Sequence, residues 1–297
     1  MIPRRTRARA TAFPKVTLAL RVLGRRDDGY HELDGLVASI GQPQDVIEAA
    51  VIGEPGVQLD VVADDTMNVP QGDANLASKA ADAVLMRAGR HALGVRLTLR
   101  KRIPPGAGLG GGSADAAATL MVVRRLLELD VSDQELLELA ADLGSDVPFC
   151  VRGGAAWMRG RGEELEPANV PLGLPLLLAI PPFGLLTADV YRTWDEMGGP
   201  RARRTVRSTG RLAALTPVLS NDLEPAAEEL EPRLQSFREE LEDAAGAPAL
   251  MAGSGSSYVV PVDDERGVTN LAAEVSQRMR RPVFAVATVS RGVRIES

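Results

Sequence analysis

The chain has 297 residues, 34 Lys plus Arg against 40 Asp plus Glu for a formal charge of −6, and is 45% hydrophobic and 25% charged. That length suits two globular domains at about 100 to 200 residues each, which excludes a small scaffold stapled by disulfides or metal. The acidic balance and 3% aromatic content exclude a nucleic-acid surface, and one cysteine, Cys150, with His31 and His91, is too little for a structural zinc site.

In chain order, Arg4-Arg5-Thr6-Arg7-Ala8-Arg9 lacks the apolar run of a secretory signal and reads as a frayed basic tail. Val16–Leu23 alternates as a strand does, and a polar turn follows at Arg25–Gly29. Asp45–Ala50 and Gly56–Ala63 read as strands. Asn75–Ala88 reads as an amphipathic helix with Leu76, Ala80, Ala83, Val84 and Met86 largely on one face. A strand at Val95–Arg100 then runs into a glycine-rich loop and an apolar helix reaching Leu129. Ser132 and Glu135 have capping-box spacing for a helix that stops at Gly144, and Phe149–Arg152 is strand-like. No stretch is a membrane span, because the most apolar one, Val170–Ala188, is broken by Pro171, Pro175, Pro181 and Pro182, leaving a short buried strand at Leu176–Ile180. The prolines from Pro167 to Pro182 mark the passage between domains 1–166 and 167–297. The second half offers an acidic helix pair within Asp222–Ala245, a second glycine turn at Met251–Ser257 and a strand at Tyr258–Val262, with Arg201–Gly210 a candidate for disorder. The fold class is mixed α/β, with a sheet in each domain.

The loop Pro104-Pro105-Gly106-Ala107-Gly108-Leu109-Gly110-Gly111-Gly112-Ser113-Ala114 carries the chemistry. Glycines ahead of a helix let backbone approach a ligand and aim several N–H groups into one concavity, where the helix start adds about half a positive charge. This is a phosphate cradle. A dinucleotide fold would need a second strand ending in an acid about 20 residues on, whereas Ser132 opens another helix. A Walker loop would need Lys before the Ser, and Gly112 stands there. Neutralising charge must therefore come from a metal and a distant lysine. Lysine occurs only at 15, 79 and 101 in this arginine-rich chain, which draws attention to each, because a compact ammonium does what a guanidinium cannot in a tight site.

Pro104 to Ala117 resembles the phosphate loop of the GHMP kinase superfamily, of the form P-x-x-x-G-L-G-S/G-S/G-S/G-A. Pro14–Leu20 with Arg26–Leu33, the segment Leu143-Gly144-Ser145-Asp146-Val147-Pro148-Phe149, and Met251–Ser257 resemble, in order, the other motifs of its cytidyl-substrate branch. The resemblance implies a two-domain fold, an N-terminal β-α-β nucleotide-binding domain and a ferredoxin-like α/β C-terminal domain. It implies transfer from ATP, with Mg²⁺, to the 2-hydroxyl of a diphosphocytidyl methylerythritol in nonmevalonate isoprenoid synthesis. By the same resemblance Asp146 accepts the hydroxyl proton, Lys15 lies beside it, and Pro104 to Ala114 hold ATP. Ser113 serves phosphate or metal, with N-capping as the alternative. Tyr30, His31 and Tyr191 hold the cytosine, and Thr17 fills a polar position usually taken by Asn. Asp115 reads as a dipole-compensating residue of the helix. The expected partner is a small molecule, with neither nucleic acid nor membrane involved, in a cytoplasmic monomer or homodimer.

Overall fold

Alternation of apolar and polar side chains sets the first half. The chain opens with β1 (Arg7–Ala12), β2 (Lys15–Arg25), β3 (His31–Ser39), β4 (Asp45–Ile52) and β5 (Gly56–Val62), then α1 (Leu76–Arg87) and β6 (Gly94–Arg100), and α2 (Gly111–Leu126), α3 (Asp133–Leu143) and α4 (Val147–Arg152). β7 (Ala155–Gly160) and β8 (Glu164–Pro167) follow. The second half holds β9 (Pro175–Ala179), α5 (Thr187–Glu196), β10 (Thr205–Arg207), β11 (Val218–Ser220), α6 (Glu224–Leu230) and α7 (Arg233–Ala245), then β12 (Leu250–Met251), β13 (Tyr258–Pro261), α8 (Val268–Met279), β14 (Val283–Ala287) and β15 (Val293–Glu296). The computed structural model describes residues 6–199, 205–207, 218–263 and 267–296.

β4 buries Asp45, Ile47 and Ala49 and leaves the residues between them half-buried, the two-residue period of a strand with one face on a core. It sits inside a five-stranded sheet ordered β15-β1-β4-β6-β5, in which only the β5–β6 pair is parallel. α1 and α2 cover this sheet. α2 presents a buried run from Ala114 to Ala118, and such small side chains let its axis approach the sheet and α1 closely. α3 begins at the expected capping box, with Ser132 and Glu135 bonding each other's backbone N–H, and ends at Gly144. A second sheet, β2-β3-β7-β8, is antiparallel throughout.

A third sheet, β12-β13-β9-β14, is antiparallel with β9 inside it. β9 has no polar face because both of its faces are buried. Leu176 and Leu178 point into the first core, with α2 and the five-stranded sheet, while Leu177 and Ala179 join Leu241, Val275 and Met279 of α7 and α8 in the second. A continuous apolar run is what a strand between two cores requires. The outcome is a mixed α/β architecture with a sheet in each half, as expected.

Three local expectations are corrected. Arg7–Arg9 is not frayed tail but the start of β1, hydrogen-bonded between β4 and β15, since every second residue there leaves the core face free. Phe149–Arg152 belongs to helix α4, whose Pro148 occupies a first-turn position where no N–H is needed. Met86 is 62% exposed rather than on the buried face of α1, which is formed by Ala77, Ala80, Ala81, Val84 and Leu85. Of Arg201–Gly210, only 205–207 are among the described residues, and they pair with β11; Arg4 and Arg5 lie outside them.

Candidate active site

The three-dimensional course of the glycine loop follows from two close approaches. Gly108 has φ +75°, and a β-carbon there would stand 2.0 Å from the Ala252 carbonyl oxygen, so the loop seats directly on the second glycine turn. The seat is made of main chain: Ser256 N–H donates to Gly106 O (3.2 Å), Ser257 N–H to Ala107 O (3.1 Å) and Leu185 N–H to Gly106 O (2.9 Å). Gly110, φ +66°, is the N-cap of α2 and contributes no capping side chain, leaving the first amides of a 16-residue helix open toward the cleft. Ser113 is inside the helix and not at its N-cap, so the capping alternative for it falls.

Lys15 is threaded behind this loop. Its backbone N–H donates to Leu109 O at 3.0 Å, and its side-chain stem passes the spot where a β-carbon on Gly110 would stand, 3.0 Å from Cγ. Its Nζ donates to Thr17 Oγ1 at 3.2 Å and pairs with Asp146 Oδ2 at 3.4 Å, with only 7% of the Lys15 side chain exposed against 35% for Asp146. Thr17 is thereby placed as the hydroxyl that steadies the ammonium. Asp146 is the N-cap residue of α4, yet its side chain caps nothing, so the carboxylate is left facing Lys15 and the cleft. A capping role for Asp146 is thus absent from the structure.

At the other end of the cleft, His31 Nε2 bonds Asp195 Oδ1 at 2.8 Å, its ring stacks on Tyr191 with centroids 4.7 Å apart, and Trp194 meets its edge at 5.5 Å. Tyr191, Trp194 and Asp195 come from successive turns of α5, so one helix face holds the imidazole. Burial first, and the nearby Asp146 charge second, push the Tyr191 phenol up, so it stays neutral. Tyr30 is 53% exposed, in the turn between β2 and β3, with the Arg161 guanidinium over its ring at 4.9 Å. The cleft measures about 990 Å³, and every expected site residue lines it except Ala114, which is fully buried in the core behind the loop.

Sequence reasoning missed three supports. Asp195 fixes His31 across 164 residues. Asn221 is buried, donates to Met251 O (2.8 Å) and Gly253 O (2.6 Å), and accepts from Leu223 N–H, so it shapes the second glycine turn. The third is a buried cluster under the phosphate loop: Lys101 Nζ pairs with Asp45 and, at 2.8 Å, with Asp115, while Asp45 Oδ1 accepts from Arg102 and Ile103 N–H. Asp115 is therefore an ion-pair partner in the core, not a surface charge serving the helix dipole. Only Lys101 carried a signal, as one of three lysines; its partners could not be read from spacing.

Mg²⁺ needs few protein ligands, since it retains waters and phosphate oxygens as the rest of its octahedron. The Ser113 side chain fits that demand: it lines the cleft two residues into α2, and its hydroxyl makes no hydrogen bond among the described residues. Asp115 is engaged by Lys101, and among the described residues no group of three or more His, Cys, Asp or Glu is poised for a metal.

A glycine loop feeding an uncapped helix, seated on a second glycine turn within this two-half fold, defines the GHMP class of kinases. Residues 75–154 match the GHMP kinases N terminal domain and residues 202–281 the GHMP kinases C terminal domain. A 4-diphosphocytidyl-2-C-methyl-D-erythritol kinase of Desulfitobacterium hafniense (strain Y51) is 38% identical over 95% of this chain and 96% of its own length. The enzyme of the same name from Pelotomaculum thermopropionicum is 40% identical over 89% and 92%. A crystal structure of 4-(cytidine 5'-diphospho)-2C-methyl-D-erythritol kinase superposes with a TM-score of 0.76 at 33% identity, covering 95% of this chain and 99% of that one. Homoserine kinase from Cytophaga hutchinsonii shares the fold, with a TM-score of 0.73 at 17% identity over 100% of this chain and 99% of that one. The chain belongs to the 4-diphosphocytidyl-2-C-methyl-D-erythritol kinase family.

Proposed function

We propose that the protein transfers the γ-phosphoryl group of ATP to the 2-hydroxyl of 4-diphosphocytidyl-2-C-methyl-D-erythritol, giving the 2-phosphate and ADP in nonmevalonate isoprenoid precursor synthesis. The observation that carries this reading is one cleft holding both a Lys15–Asp146 pair beside a phosphate loop and a His31–Tyr191–Asp195 cluster away from it. Phosphoryl transfer asks for position, for neutralised charge and for a place to send the hydroxyl proton. Asp146 accepts that proton. The Lys15 ammonium beside it favours the ionised carboxylate and sets positive charge close to the phosphoryl in flight. The open amides of α2 and of the loop from Pro104 to Ser113 hold the ATP phosphates. Mg²⁺, held by Ser113 together with phosphate oxygens and water, would neutralise charge on the β- and γ-phosphates. Thr17 orients Lys15 beside the substrate, while Tyr30, His31 and Tyr191 take the cytosine.

Residues 1–166 supply Lys15, Asp146 and the phosphate loop. Residues 167–297 supply Tyr191 and the second glycine turn, and return β15 to the first sheet. Among the described residues no helix is long and apolar enough to cross a membrane. ATP and a diffusible substrate accord with a cytoplasmic enzyme, monomeric or homodimeric.

Phosphorus NMR of the reaction mixture tests the assignment. A new phosphomonoester signal on the methylerythritol 2-position, with the substrate diphosphate retained, is expected; phosphate on another hydroxyl, or cleavage of the diphosphate, contradicts it.

A further inference from the structure

The proposed substrate has three parts: a base, a hydroxyl that reacts, and a diphosphate carrying negative charge between them. The two ends have partners in the cleft, and the charged middle requires one. The cations among the lining residues are Lys15, Arg25, Arg161 and Arg192. Lys15 is engaged by Asp146. Arg192 is 60% exposed in its side chain and pairs with Asp189 at 2.8 Å, and Arg25 is 65% exposed and 3.9 Å from Asp195, the residue that also holds His31.

Arg161 is less exposed than either. It stands in the turn between β7 and β8, flanked by Gly160 and Gly162, and its side chain is 31% exposed. On one side its guanidinium carbon lies 4.9 Å from the centre of the Tyr30 ring. On the other, the chain continues into Gly162, where a β-carbon would be 3.7 Å from Cβ of Ser145, the residue before Asp146. The turn therefore reaches from the base end to the reacting end. Glu163 shapes it: one carboxylate oxygen accepts the Arg161 backbone N–H at 2.6 Å, and the other forms an ion pair with Nε at 3.4 Å. The two terminal guanidinium nitrogens bond nothing among the described residues.

Resting on the cytidyl reading above, we propose that Arg161 is a specificity-determining residue that binds the diphosphate of the substrate through its terminal guanidinium nitrogens. A planar fork with free donors matches two phosphate oxygens as an ammonium does not. Contact with the ring also gives Tyr30 one face against the guanidinium and leaves the opposite face for a base. Arg161 so couples recognition of cytosine to recognition of the charged linker. Glycines on either side keep the turn tight enough for Gly162 to pack on Ser145.

Titration calorimetry with cytidine, CMP and CDP on wild type, Arg161→Gln and Arg161→Lys tests this. Wild type should bind CDP more tightly than cytidine. In Arg161→Gln the CDP affinity should fall by about tenfold to a hundredfold, the range for losing charge-assisted hydrogen bonds, while cytidine affinity falls by clearly less than that of CDP and ATP affinity holds. Arg161→Lys should recover only part of the loss. CDP binding unchanged in Arg161→Gln, or fully restored by lysine, overturns the assignment. A wild type that binds neither cytidine nor CDP would instead sink the cytidyl reading on which it rests.

Discussion

Lys15 and Asp146 show how much a single side chain's surroundings decide. The ammonium sits between Thr17 Oγ1 at 3.2 Å and Asp146 Oδ2 at 3.4 Å, and a β-carbon on Gly253 would approach it to 3.2 Å. A guanidinium is larger and more diffuse than the ammonium held between these two oxygens, so Lys15→Arg keeps the charge and loses the geometry. Steady-state kinetics should show turnover severely reduced, and an Arg variant as active as wild type would contradict this packing argument. Asp146→Asn removes the carboxylate proposed to accept the proton and keeps the shape. Turnover should fall by about 10²–10⁴, the usual contribution of a positioned acid–base group, with ATP affinity by calorimetry nearly intact. Equal turnover would reduce Asp146 to a structural residue. These two residues were legible in the sequence because each sits in a contiguous motif. Asp195 was not, because its partner His31 is 164 positions away and only the fold brings α5 against the β2–β3 turn.

At the scale of elements, the phosphate loop and α2 are held from two sides. Above, the loop contacts Lys15 and the second glycine turn. A valine at Gly110 would place Cβ 3.0 Å from Lys15 Cγ at φ +66°, where a branched residue is strained by about 1–3 kcal/mol. Gly110→Val should therefore displace the lysine and lower turnover at least about tenfold, on that strain scale. A folded variant with normal ATP affinity and normal kcat would remove Gly110 from the site.

Below the loop lies the Lys101–Asp45–Asp115 cluster, two carboxylates and one ammonium out of water. Burial, opposed by the Lys101 charge and reinforced by that of Asp45, holds the Asp115 carboxyl well above its ordinary value. A carboxyl raised in the folded state contributes stability at low pH and loses it as pH rises through the folded value. Relative to Asp115→Asn, wild type should thus lose stability as pH rises from about the ordinary aspartate value near 3.9, so that the difference in thermal unfolding between the two shifts in favour of Asp115→Asn toward neutral pH. An unchanged pH profile would contradict the charge assignment. Nothing in the spacing announced this cluster, since Asp45, in β4, and Lys101, just past the end of β6, are 56 residues apart. The helices and strands around it were legible, because period and caps are local signals. α4 was not, because a six-residue apolar run has no periodicity to separate strand from helix.

The whole molecule joins its halves more tightly than the proline-rich passage suggests. β15 pairs with β1, so the last described residues complete the first sheet, and Val22 N–H bonds Asp222 Oδ2 across 200 residues. The second contact ties β2, whose first residue is Lys15, to the residue after Asn221, which holds the second glycine turn. Long-range pairings of this kind leave no trace in local pattern, which is why β1 read as a tail and the glycine motifs read as separate features. Their meeting in one cleft is what makes a kinase of them. The central claim, that this cleft phosphorylates a cytidyl-linked polyol and not another small alcohol, is tested most directly by coupled ADP release with ATP and three acceptors in parallel: 4-diphosphocytidyl-2-C-methyl-D-erythritol, homoserine and mevalonate. Turnover confined to the cytidyl substrate is the predicted result, and equal or greater kcat/KM with homoserine or mevalonate would contradict it.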